Sequence, residues 1–135
     1  MKFVSSLLLA MMLVACSAPS SDEEQVRAVF AKAEAAAEDR DTADVLALVA
    51  DGYTDAQGFD KTQLQNFLRA YFFTHPKLEL VVSVDDISFP ADGLAHAKLT
   101  VNAVDLNDPR REHFEVELRR DEDDWKIARA DRVGR

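Results

Sequence analysis

The spacing of apolar residues changes once along this chain, from a helical repeat in its first half to alternation in its second. Val26, Val29, Phe30, Ala33 and Ala37 recur at helical steps and predict one long amphipathic helix to about Asp39. Ser21-Asp22-Glu23-Glu24 ahead of them reads as a capping box, and its acids suit the positive end of a helix. A second, short helix begins at Thr42-Ala43-Asp44, carries Val45, Leu46, Leu48 and Val49, and stops at Asp51-Gly52. Tyr53 to Phe59 reads as a brief extended or looped stretch. Asp60 caps a third helix with the stripe Leu64, Phe67, Leu68 and Tyr71. His75-Pro76 ends that helix, because a residue before proline avoids the helical region.

From Leu78 the period is two. Leu78, Leu80, Val82 and Val84 alternate with Glu79, Val81, Ser83 and Asp85. Ile87 and Phe89 keep the alternation only if Asp85-Asp86 absorbs an extra residue, which predicts a β-bulge there. Pro90 to Gly93 forms a turn, and Ala95, Ala97, Leu99, Val101 and Ala103 make the next inward row. Leu106 to Pro109 turns again before the inward row Phe114, Val116 and Leu118. Asp121 to Asp124 makes the last turn, and Trp125 and Ile127 open the last strand.

Three helices followed by an antiparallel meander predict an α+β fold, three N-terminal helices packed on a curved antiparallel four-stranded sheet. Asp44-Val45-Leu46-Ala47-Leu48 through Asp51-Gly52-Tyr53, then Asp60-Lys61, Phe89 to Val101, and Asp124-Trp125-Lys126-Ile127 carry a resemblance. The order resembles the nuclear-transport-factor-2-like superfamily, a cystatin-like cone in which a curved sheet wraps a long helix. The resemblance covers nearly all of residues 22–135 and implies a fold rather than an activity.

The N-terminus adds an address. Lys2 precedes an apolar run from Phe3 to Val14, broken only by Ser5 and Ser6. At roughly 12 residues it is short of the ~20 needed to span a bilayer and has the size of a secretory signal core. Leu13-Val14-Ala15-Cys16 resembles the lipobox of bacterial lipoproteins, which implies cleavage after Ala15 and acylation of Cys16. The expected organisation is a signal peptide over 1–15, a lipidated cysteine and tether over 16–21, and the domain over 22–135. Cys16 is the only cysteine, so no disulfide can form within the chain. The expected location is the bacterial cell envelope, with a membrane contact made through lipid. Ser17, rather than Asp, after the cysteine resembles outer-membrane sorting, which would place the domain in the periplasm. The short tether Ser17 to Ser21 reaches only about 17 Å, so the domain should sit close to the surface.

Charge narrows the partners. The formal net charge is −9, and residues 22 to 62 hold eleven acids against four bases. Such a domain is repelled by nucleic-acid phosphates and by anionic head groups, so nucleic acid is not an expected partner.

Few residues offer chemistry. Tyr53, Tyr71 and Asp131 could supply the donor and base that a dehydratase or isomerase of the resembled superfamily needs. Extending the phase of Trp125 and Ile127 points Arg129 and Asp131 inward, making them candidate ligand-binding residues with Tyr53 and Tyr71. A bulge would instead turn Ala128 and Ala130 inward and leave both charges solvated. His96 and His113 alternate outward and His75 sits at a helix end, so no strand histidine occupies the place a dehydratase dyad requires. Asp121-Glu122-Asp123-Asp124 reads as a solvated turn. Asp105 to Asp108 starts like a calcium loop but is followed by Pro109, Arg110 and Val116 at positions that need glycine and glutamate. No metal and no cofactor are expected. Ala95, Ala97 and Ala103 leave either space for a ligand or room for Phe67 and Phe72. On the convex face, His96, Lys98, Thr100, Asn102 and Val104 lie near His113, Glu115, Glu117 and Arg119, a surface that relatives use to dimerise or recruit partners.

The expected function is a membrane-anchored, non-enzymatic module that binds a small ligand or a protein. The alternatives are a lipid-anchored lyase or isomerase with an inner Tyr/Asp site, and an envelope inhibitor or immunity protein.

Overall fold

The computed structural model describes residues 20–104 and 109–134. The expected signal peptide over 1–15, Cys16, most of the expected tether and the Asp105 to Asp108 segment lie outside the described residues. Helix α1 spans Asp22–Glu38, α2 Thr42–Leu46 and α3 Lys61–Thr74. Strands β1 (Glu79–Ala91), β2 (Leu94–Val104), β3 (Arg110–Asp121) and β4 (Asp124–Val133) form one antiparallel sheet in the order β1-β2-β3-β4. Helices packed on a curved meander are the predicted α+β cone.

The helix ends follow from their caps. Ser21 accepts the Glu24 N–H at 3.2 Å, so that arm of the predicted capping box forms at α1. Asp41, not Thr42, caps α2, accepting the Asp44 N–H at 3.0 Å. Both arms of a capping box form at α3 between Asp60 and Gln63, at 2.8 and 2.9 Å. After α1 the chain reverses through Arg40 at φ 53°, and the Asp41 N–H returns to the Ala36 carbonyl at 2.9 Å.

The β1 bulge falls where the alternation slipped, with the register moving between Val84 and Asp86. A second shift separates Glu117 from Leu118 against β4. It turns Ala130 to Val116 on the inner face, while Arg129 pairs with Glu117 and Asp131 with Glu115. The inward phase for Arg129 and Asp131 is therefore not the one adopted. The bulge absorbs one residue at Ala128, and everything after it changes sides.

Helix α1 lies on one end of the sheet. Val26, Val29 and Phe30 pack with Ala95, Ala97, Leu99, Val116, Leu118 and Trp125 in a single buried cluster. Ala95 and Ala97 thus admit α1, not a ligand and not Phe67 or Phe72. Small side chains let a helix approach the sheet closely.

The β4 edge is partly covered by the segment after α2, while β1 is touched at one N–H by a side chain of α1. Glu34 of α1 accepts the Val82 N–H at 2.9 Å on the β1 edge. Along β4, the Ile127 N–H bonds Leu48 and the Ala50 N–H bonds Ile127, both at 2.8 Å. Val49 bridges Ile127 in parallel. Lys61 and Lys126 donate to the carbonyls of Val49 and Ala47, at 2.9 and 2.6 Å, and hold this segment to its neighbours. No helix among the described residues is long and apolar enough to cross a membrane.

A candidate ligand cavity at the open end of the cone

The strand ends that α1 leaves uncovered are roofed by α3 and the loop 53–59. Between roof and sheet lies a cavity of about 770 Å³. Its floor is Leu80, Val101, Ala103, Phe114 and Ala130, and its roof is Phe59, Leu64, Phe67 and Tyr71. The α3 stripe predicted from sequence thus faces a space rather than a packed core. This explains why Phe67 stays 48% exposed.

Four rings run along the roof. Phe59 and Phe67 lie 5.9 Å apart, Phe67 and Tyr71 5.9 Å at 25°, and Tyr71 and His75 4.1 Å at 20°. Helical spacing produces the last two contacts, because residues four apart share a face. His75 lines the cavity from the C-terminal end of α3, and its Nδ1 lies 2.8 Å from the Tyr71 carbonyl. The Thr74 hydroxyl lies 3.0 Å from the same nitrogen.

Three of the residues singled out from sequence, Tyr53, Tyr71 and Asp131, come together on this cavity. Arg129 does not line it, and its Nε pairs with Asp131 Oδ2 at the sheet edge. Tyr53 is 3% exposed and donates its hydroxyl proton to Asp55 at 2.9 Å, with the Ala130 carbonyl farther at 3.4 Å. Burial, reinforced by the bond to Asp55 and that carboxylate's charge, holds the phenol well above its usual range. Asp55 also accepts the Gln57 and Phe59 N–H groups at 3.0 and 3.1 Å. Asp131 accepts the Ala56 N–H at 2.7 Å. The polar atoms of Tyr53, Asp55 and Asp131 are therefore spent on clasping loop 53–59 to β4.

Among the polar lining residues, sequence reasoning missed Asp55 and Gln57 on the loop, and His75, Arg110, Glu112 and Arg132. The register puts Arg110 opposite Ala103, Glu112 opposite Val101 and Arg132 opposite Phe114, all on the inner face at the mouth. Arg132 Nη1 donates to Glu112 Oε1 at 2.9 Å. Extending the β3 alternation two steps back from Phe114 would have found Glu112 and Arg110.

The convex face is satisfied internally. Thr100 donates to Asp85 at 2.6 Å and lies 3.1 Å from His113 Nδ1, while Arg111 donates to Asn102 at 3.0 Å. His96 and Arg119 both approach Glu117, at 3.8 and 3.6 Å. Among the described residues no cluster of His, Cys, Asp and Glu is arranged to hold a metal ion.

The cone recurs in solved structures at low identity. A cystatin-like domain of unknown function from Nostoc punctiforme superposes with a TM-score of 0.74 at 14% identity, covering 87% of this chain and 80% of its own. A nuclear-transport-factor-2-like protein of unknown function from Shewanella oneidensis gives 0.70 at 14% identity, over 84% and 100%. A candidate scytalone dehydratase from Novosphingobium aromaticivorans gives 0.72 at 11% identity, over 82% and 81%. No family model matches the sequence, and no curated protein matches it. At such identities the likeness shows the fold alone.

Proposed function

We propose that this protein is a small-molecule-binding module whose site is the cavity between α3 and the open end of the sheet. One observation carries the reading: about 770 Å³ of space is lined mainly by aromatic and aliphatic side chains, with a few charged groups at its wall and mouth. Ligand sites of known proteins occupy roughly 300–1,000 Å³ and have this composition. Binding is favoured over catalysis because the hydrogen bonds of Tyr53, Asp55 and Asp131 are made within the loop 53–59 and to it.

A lyase or isomerase is the second reading. His75 supports it, since an imidazole, the side chain most often used for proton transfer, lines the cavity against Tyr71. The dehydratase-like neighbour has the same cone.

We place the domain in the bacterial envelope, tethered through Cys16. Ser20 begins the described chain beside the β3–β4 hairpin residues Asp123 and Asp124. Arg120 ties Asp22 to the β1–β2 hairpin at Asp92, with contacts of 3.3 and 2.7 Å. A tether leaving from that end would present the cavity mouth, at the opposite strand ends, away from the bilayer. Self-association through the convex face is a further proposal, supported by Val81 and Val104, 56% and 45% exposed near one end of that face.

Titration with a fluorescent apolar probe tests the site. Binding should saturate at one equivalent, and Ala103→Phe, which fills the floor, should abolish it without lowering the melting temperature. Saturable binding that Ala103→Phe leaves intact would move the site elsewhere.

A further inference from the structure

Resting on the cavity reading above, we propose that its ligand joins a flat apolar body to an anionic head group, a carboxylate or similar oxyanion, received by Arg132 at the mouth. Inward-facing charge is costly on a sheet unless something answers it. Here it occurs where the floor narrows to Ala103 and Ala130, beside Arg110, Glu112 and Arg132.

The carboxylates of the wall are already used. Asp55 accepts three bonds, from Tyr53, Gln57 and Phe59, and Asp131 accepts from Ala56 and pairs with Arg129. Glu112 is matched by Arg132. Arg132 is only partly engaged among the described residues. Arg132 carries five donors in a fork, and a single bond to Glu112 engages one of them among the described residues. Its side chain is 51% exposed, so the remaining donors are open to the mouth. The wall therefore has donors to offer an anion and few acceptors to offer a cation. A fork of donors suits the two oxygens of a carboxylate.

The flat body follows from the roof. Phe67 and Tyr71 lie at 25° and Tyr71 and His75 at 20°, each ring stacked on the next, across from a largely aliphatic floor. Rings stacked on one another turn their edges to the cavity, and a planar aromatic body meets such edges with its face, an arrangement aromatic pairs favour. With a net charge of −9, the protein repels anions at long range, so selectivity must come from direct contact at Arg132.

The test compares three probes of one shape by calorimetry: 2-naphthoate, 2-naphthamide and 2-naphthylmethylammonium. The wild-type protein should bind naphthoate at least ten-fold more tightly than the amide and the ammonium least. Arg132→Gln should erase the preference for naphthoate and leave the amide's affinity within two-fold, while Arg132→Lys should retain part of it. Equal affinities for naphthoate and amide in the wild-type protein would overturn the anionic head group and leave the cavity reading standing. Absence of binding by all three at millimolar concentration would overturn both.

Discussion

Replacing Tyr53 with Phe should lower stability at neutral pH and raise it in strong alkali. The substitution removes one hydroxyl that donates to Asp55 at 2.9 Å from a residue 3% exposed. A bond of this kind is worth about 1 kcal/mol net. The phenol is held above its usual range, chiefly by burial, so the fold favours its neutral form. The unfolded chain ionises near the ordinary value of about 10. Stability from this group is thus complete below about pH 10 and is lost as pH rises beyond it. The loss approaches about 1.4 kcal/mol per pH unit, so the wild-type advantage of about 1 kcal/mol disappears near pH ~10.7. Above that crossing the Phe variant should be the more stable. Urea unfolding followed by Trp125, the only tryptophan and 4% exposed, gives both curves, and all other titrations cancel in their difference. A wild-type advantage that stays constant to pH 11.5 would refute the argument, because Tyr53 would then ionise as readily folded as unfolded.

Three further outcomes are expected. Arg40→Gly should stabilise the protein by about 0.5–1 kcal/mol in urea, because Arg40 occupies a left-handed conformation, φ 53°, that glycine adopts without strain; a loss of stability would show that its side chain supplies more than the turn. Ala97→Leu should cost ~1–3 kcal/mol by overpacking beneath α1, whereas Ala103→Leu should stay within about 0.5 kcal/mol, since Ala103 borders open space. Equal melting-temperature losses for both would mean the cavity is closed. Cys16→Ala should move the protein from the membrane to the soluble fraction on cell fractionation, and retention with membranes would overturn the lipid anchor.

Much of the fold was legible because each element carries its own signal. Ser21 and Asp60 mark helix starts, and the slipped alternation at Asp85-Asp86 marks the bulge found between Val84 and Asp86. The second bulge was legible only as an alternative. Trp125-Lys126-Ile127-Ala128-Arg129 alternates without a break, and nothing local says that Ala128 is passed over. The partner strand decides it, by matching Ala130 to Val116 rather than offering Asp131 to the core. Tyr53, Tyr71 and Asp131 line one cavity, yet hydrogen bonding gives Tyr53 and Asp131 a holding role. Residue type alone does not separate a carboxylate that grips a loop from one that awaits a proton.

The cavity itself follows from lengths. Helix α1 has 17 residues and β1 has 13, so the helix extends about 26 Å against about 43 Å of strand. One helix of that size cannot cover the sheet from end to end. Where it lies, the inner residues Ala95, Ala97, Leu99, Val116, Leu118 and Trp125 are apolar and buried. Beyond its reach the same rows continue as Arg110, Glu112 and Arg132. The change from apolar to charged along a single inward row therefore marks the point at which the covering helix ends and solvent, or a ligand, begins. Tyr71 and His75, one helical turn apart, stand over that point and leave it roofed but unfilled. The cone stays open at this end because its longest helix is too short to close it.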